Sequence, residues 1–221
     1  MEGAPLLAAW LSYVERGVTP FTIPGHKRAG GRLAPELGRV LDGDVPLFGG
    51  LDTVKLAGGL LAGAQERAAR LWGGDWCRFS TGGSTHTNQA VALAVGRPGD
   101  EVLVARSAHR STLLGLVLAG LTPVWLPATV DGRFGIPREV ALPALRAALA
   151  AHPAARAVFL VEPSYLGTVS DLPALVAEAH AAGLPVVVDQ AWGAHFGFHP
   201  DLPAHALASG ADALVTSAHK T

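Results

Sequence analysis

The chain has one cysteine, Cys77, in 221 residues. An internal disulfide is excluded, and a reducing compartment is the expectation. The chain also lacks a charge surplus: its formal net charge is -1, and only 16% of residues are charged. That balance provides no general electrostatic pull toward nucleic acid or an anionic membrane. Long apolar runs are missing as well. The longest, Leu113 to Leu121, falls well short of the roughly 20 residues a membrane-spanning helix needs. The opening Met1-Glu2-Gly3-Ala4-Pro5 has no basic region of the kind that begins a signal peptide. No Gly-Lys-Ser/Thr is present, so a nucleotide P-loop is not expected. Internal repeats and low-complexity segments are absent too. These absences lead to the expectation of a soluble, cytoplasmic protein with no metal, nucleic-acid or membrane partner.

What is present is apolar material, 49% of the chain, enough for a sizeable core. The length suits one α/β domain preceded by an N-terminal arm. The arm is expected over 1–57, with a helix at 4–16, a loop-rich stretch at 17–57 and a helical piece near 33–41. The domain is expected over 58–221. There, helices are predicted at 58–71, from Ser84 to Val95, from His109 to Ala119, from Pro137 to Ala150, from Asp171 to Ala182 and at 203–209. Strands are predicted at Trp76 to Phe79, Glu101 to Ala105, Pro123 to Leu126, Ala157 to Val161, Pro185 to Asp189 and 213–216. Proline at the first position marks the helix beginning at Pro137, and Gly183 closes the helix from Asp171 to Ala182. Short apolar strands alternating with helices imply an α/β fold: a mostly parallel sheet with helices on both faces. Ligands in such sheets gather beyond the carboxyl ends of the strands.

The polar motifs fall at those ends. Ser80-Thr81-Gly82-Gly83-Ser84-Thr85 joins a strand to a helix. Its glycines allow close backbone approach, and Ser84 and Thr85 present hydroxyls and amides at a helix N-terminus, as a phosphate site requires. An ordinary N-cap after a tight turn explains the same residues. His109 follows a strand and has a flat ring able to stack on a planar ligand, or simply caps a helix. In Glu162-Pro163-Ser164-Tyr165 the tyrosine could face a ligand, and Thr168 could reach a ligand oxygen; a turn with a half-buried tyrosine is the alternative. Asp189 ends the apolar run Pro185-Val186-Val187-Val188. A carboxylate there is costly to desolvate unless it meets a cation or good donors. A protonated pyridinium nitrogen is such a partner, and nearby backbone amides are another. A small residue at Ala191 leaves room for a ring face. Finally, Ser217-Ala218-His219-Lys220-Thr221 follows the strand Ala213-Leu214-Val215-Thr216. This is the layout of a lysine that forms an imine with pyridoxal phosphate (PLP), with polar neighbours for the phosphate. A lone lysine near a terminus is usually a solvated charge, but four other sites on one sheet edge point to a shared ligand.

With these residues placed, the chain resembles the Orn/Lys/Arg decarboxylase family of fold-type I (aspartate-aminotransferase-like) PLP enzymes. The resemblance rests on Pro24-Gly25-His26-Lys27-Arg28, the Gly83-Ser84-Thr85 loop, the His109 segment, Glu162 to Tyr165, Asp189-Gln190-Ala191-Trp192-Gly193-Ala194-His195-Phe196, and Ser217 to Thr221. It is nearest to the short, arginine-decarboxylase-like branch. It implies that Lys220 anchors the cofactor, Asp189 keeps the pyridine nitrogen protonated, and His109 and Ala191 cover the two ring faces. Ser84, Thr85, Ser217 and His219 would hold the phosphate, with Gly83 and Thr168 nearby. The implied reaction is decarboxylation of arginine, lysine or ornithine to the amine and CO2. Aminotransferase or aldolase chemistry is the alternative on the same fold, and a split or inactive fragment that needs a C-terminal partner chain is the other. A homodimer or larger assembly is implied as well. Two positions depart from the family: Gln190, where many relatives carry an acid, and 47–57, which lacks the usual acidic pattern. Relatives are expected to continue about as long again. That continuation would hold the sheet's last strand, a small domain and groups for the substrate carboxylate.

Overall fold

In the computed structural model, all residues are described except 1–2, 22, 24, 30–34, 47–49 and 221, together with the side chains of residues 37 and 39. Pro24, the start of the helical piece expected near 33–41, part of the 47–57 segment and Thr221 therefore lie outside the described residues. The chain divides into two units, 1–79 and 80–221.

Among the described residues, the first unit has the helices α1 (Pro5–Glu15), α2 (Pro35–Asp42) and α3 (Leu60–Leu71). Proline in the first turn of α1 loses no helical hydrogen bond. α1 packs on α3, and its Tyr13 is buried beneath the guanidinium groups of Arg16 and Arg28. Arg28 also donates from Nη2 to the Val14 carbonyl and from Nε to the Asp42 carbonyl. The basic segment 25–28 is thus fastened to the ends of both helices. The Asp52 carboxylate accepts the N–H groups of Gly59, Thr53 and Leu61 at the start of α3. Those bonds, Gly59 first, hold its pKa below the ordinary value. Trp76 to Phe79, expected as a strand, forms none. The Phe79 N–H goes to the Gln65 side chain instead of a neighbouring strand.

The second unit begins with α4 (Gly83–Val95), β1 (Glu101–Ala105), α5 (Arg110–Ala119) and β2 (Thr122–Leu126). A hairpin of β3 (Ala128–Val130) and β4 (Pro137–Val140) follows, then α6 (Leu142–Ala151), β5 (Val158–Val161), α7 (Leu172–Ala181), β6 (Val186–Gln190) and β7 (Ala213–Thr216). The main sheet has five strands in the order β2-β1-β5-β6-β7, and every pairing in it is parallel. β3 and β4 pair antiparallel as a separate ribbon.

Two expectations fail in this unit. Pro137 to Val140 is a strand, so the helix starts at Leu142, with Pro143 in its first turn. The strand Ala128–Val130, which no sequence signal marked, supplies the partner that draws Pro137 to Val140 into the ribbon. Residues 203–209 form no helix: 203–205 are irregular and 206–209 lie in a turn. There the Ala206 N–H is taken by the Gln190 side chain, and Gly197 donates to the Pro203 carbonyl.

Alternation along the strands divides the core in two. Leu103, Val158, Leu160, Val186 and Val188 face one side, where Leu145 of α6 and Leu175 of α7 close the layer. Val102, Val104, Phe159 and Val187 face the other, against Ala92 of α4 and Leu116 of α5. Helices therefore cover both faces. α4 and α5 meet closely at Gly115, where an added Cβ would stand 3.0 Å from the Ala92 Cβ and 3.0 Å from the Gln89 Cα. α5 ends at Gly120, whose φ of 67° is a left-handed cap that glycine adopts without strain.

Candidate active site

All of the expected site residues lie in the second unit, on loops beyond the carboxyl ends of the strands or at the start of α4. At the end of β6, Asp189 is 6% exposed. Its Oδ1 accepts the Ala191 N–H at 3.1 Å, and its Oδ2 accepts Asn88 Nδ2 at 2.7 Å. The second contact brings α4 to the same edge, because Asn88 sits in the second turn of that helix. Ala191 is buried beside Asp189.

β7 lies beside β6, with Val215 opposite Asp189 and Thr216 opposite Gln190. The chain leaves β7 through buried Ser217, whose Oγ is 3.0 Å from His219 Nδ1. Lys220 follows, its N–H directed at the Ser217 carbonyl and its Nζ 4.8 Å from the centre of the Trp192 ring. Thr216 Oγ1 donates to the Gln190 carbonyl and ties the two strand ends together. Gln190 itself is fully buried. Where an acid would need charge compensation, its amide oxygen accepts the Ala206 N–H.

The start of α4 has the backbone of an anion site. Gly83 has φ 66°; its N–H is directed at the Ser80 carbonyl at 3.4 Å, and no side chain caps the helix, which leaves the next N–H groups of the first turn without a cap. Ser84 is half-buried and Thr85 exposed. Beyond β1, His109 is the N-cap of α5. Its Nδ1 accepts the Ser111 N–H at 3.2 Å and lies 2.8 Å from Ser111 Oγ. Helix capping, one of the two readings open from sequence, is therefore present whatever the ring also contacts.

Beyond β5, the loop from Ser164 to Ser170 is closed on itself. Ser164 Oγ and Thr168 Oγ1 are 2.6 Å apart, and Ser164 N–H meets the Thr168 carbonyl. Thr168 is thus bound within its own loop, not to the Asp189 group, and Tyr165 is largely exposed. Glu162 anchors the loop: Ser170 donates its N–H to Oε1 and its hydroxyl to Oε2. Burial pushes the Glu162 carboxyl up to about 7, and the two Ser170 bonds only partly oppose that rise.

Asn88, Ser111 and buried Glu162 were not singled out from sequence as site residues. One signal for Asn88 was available. Ser84, Asn88 and Ala92 recur at helical spacing, so an amide occupies the stripe that faces the sheet.

Comparison with known proteins places this architecture. The family profile described as "Orn/Lys/Arg decarboxylase, major domain" matches residues 4–221. YaaO, an uncharacterized protein of Bacillus subtilis, is 38% identical over 98% of this chain and 46% of its own length. The arginine decarboxylase of Bacillus subtilis is 33% identical over 98% of this chain and 45% of its own. The chain thus spans about half the length of the curated relatives it matches. Among solved structures, lysine decarboxylase A from Pseudomonas aeruginosa superposes with a TM-score of 0.78 at 23% identity, covering 97% of this chain and 32% of that one; this likeness speaks to the fold. A match running almost from end to end, on a sheet of the same architecture, means that this chain belongs to the Orn/Lys/Arg decarboxylase family.

Proposed function

We propose that this chain carries the cofactor-binding part of a PLP-dependent decarboxylase acting on arginine, lysine or ornithine. The observation that carries the reading is buried Asp189 at the end of β6, with Lys220 just beyond the neighbouring strand. A carboxylate held by one amide and one backbone N–H keeps lone pairs for a cationic ring nitrogen. The residues fit PLP in chemistry. Lys220 supplies the amine for covalent attachment. Gly83, Ser84, Thr85, Ser217 and His219 offer donors for a phosphate. His109 and small Ala191 suit the two ring faces; Thr168, whose hydroxyl is held by Ser164, would have to leave that contact to reach a ring oxygen. When bound, the cofactor supplies the electron sink that lets a Cα–carboxylate bond break with release of CO2. The protein's share is to hold the ring nitrogen's proton at Asp189 and to fix the ring between His109 and Ala191.

Arginine is the first substrate to assay, because the Bacillus subtilis arginine decarboxylase is among the relatives. Since the chain spans 45% of that relative, we also propose that full activity needs sequence beyond this segment, in the same or a partner chain, and a homodimeric or larger assembly. The test is spectroscopic. Added PLP should give a band near the visible edge that borohydride bleaches and that Lys220→Ala abolishes. No band at saturating PLP refutes cofactor binding by this chain. In a full-length version, keto-acid formation in place of CO2 release refutes the decarboxylase assignment.

A further inference from the structure

Behind the proposed cofactor site runs a buried polar chain that none of the roles above uses. Asn88 of α4 is 4% exposed and Ser111 of α5 is 1% exposed. Both hydrogens of the Asn88 amide are committed: one to Asp189 Oδ2 at 2.7 Å, the other to Ser111 Oγ at 2.9 Å. A carboxylate oxygen accepts, so the amide nitrogen and not its oxygen must face Asp189. Because Ser111 Oγ accepts from Asn88, its own hydrogen is left for His109 Nδ1, 2.8 Å away. Nδ1 also receives the Ser111 N–H. It is therefore an acceptor, and the ring hydrogen sits on Nε2. The donors run outward from one amide: Asn88 to Asp189 on one side, Asn88 to Ser111 to His109 on the other. Three elements meet there, α4, α5 and β6.

We propose that Asn88 is a positioning residue that fixes the Asp189 carboxylate and, through Ser111, the plane and tautomer of His109. The ring-nitrogen acid and the ring-stacking imidazole are thereby set as one unit. The role rests on the cofactor reading above, while the hydrogen-bond chain itself can be tested without cofactor. Supporting polar groups of this kind commonly matter as much as the residues that touch the ligand.

The experiment compares the unsubstituted chain with Asn88→Ala, Ser111→Ala, Asp189→Ala and the Asn88→Ala/Asp189→Ala pair, each checked for folding by thermal unfolding. In the cofactor-free protein, NMR resolves the two Asn88 side-chain hydrogens. Asp189→Ala should move one of them upfield, and Ser111→Ala the other. If neither responds, or one substitution moves both equally, the hydrogen-bond chain is wrong. PLP titration then reads affinity. Asn88→Ala should weaken it about tenfold, as for the loss of one hydrogen bond to a charged acceptor. In the Asp189→Ala background the same change should cost clearly less, because only its hold on His109 through Ser111 remains to be lost. Equal losses in both backgrounds make Asn88 a packing residue and overturn the proposal. If Asn88→Ala does not fold, Asn88→Ser carries the same comparison. If the unsubstituted chain binds no PLP, the cofactor reading fails first and the positioning role falls with it. If PLP binds and only the Asn88 comparison fails, the cofactor reading survives alone.

Discussion

Glu162→Gln is the substitution whose effect can be worked out most fully. Glu162 is 4% exposed, and burial raises its pKa from 4.5 to about 7, against the opposing bonds from Ser170 and with a further rise from Glu139. The folded chain therefore holds this proton more tightly than the unfolded chain does. The resulting stability is fully present below the unfolded value and is lost as pH rises through about 7. The interval between the two values corresponds to about 3 kcal/mol in total, most of which is lost between pH 5 and pH 8. Glutamine keeps the shape and does not titrate. Its oxygen can accept the Ser170 N–H, and its amide can donate to the Ser170 hydroxyl, which turns to accept. Urea midpoints for both proteins at intervals across this range give the difference directly, since all other titrating groups cancel. The variant should gain on the unsubstituted chain by about 2–3 kcal/mol from pH 5 to pH 8. A flat difference, or a gain by the unsubstituted chain, would refute the account of Glu162 as a buried acid that resists ionisation.

Other expectations are simpler. Gly115→Val should push α4 from α5, because the new Cβ would meet Ala92 and the Gln89 backbone at 3.0 Å; calorimetry should show a loss of about 1–3 kcal/mol. Leu145→Ala empties a fully buried position beneath the sheet and should cost about 2–5 kcal/mol in denaturant unfolding. Asp189→Asn should leave secondary structure by circular dichroism unchanged but weaken PLP affinity at least about tenfold, since an amide cannot compensate a cationic ring nitrogen. Unchanged affinity would remove Asp189 from the site.

The main sheet was legible because its signals are local. Val186, Val187 and Val188 can scarcely be anything but a buried strand, and Glu101 to Ala105 begins and ends where the pattern does. The helix expected from Pro137 failed for an equally physical reason. Pro137 and Pro143 both suit a helix start, and only pairing with Ala128–Val130 decides between them. Trp76 to Phe79 has strand-forming residues, but its N–H at Phe79 finds a side chain, not a strand. The segment 203–209 has helix-forming alanines, yet its Ala206 N–H and Pro203 carbonyl are taken by Gln190 and Gly197. Asp189, His109 and Lys220 were singled out from the motifs around them, and the fold places all three at the carboxyl ends of strands of one sheet or just beyond. Asn88 was not singled out, because its meaning depends on two partners from other elements, Ser111 and Asp189.

The Asn88–Asp189 bond joins positions 101 apart in sequence, and that distance has a kinetic consequence. Contacts that close so long a loop form late, after shorter-range pairings have met part of the entropic cost. The junction of α4, α5 and β6 can exist only once β6 has joined the sheet. A partial opening that frees either the early helices or the later strands dismantles the pocket at once. A ligand seated there would protect the whole unit against unfolding, and its release rate would report on global opening more than on any local loop.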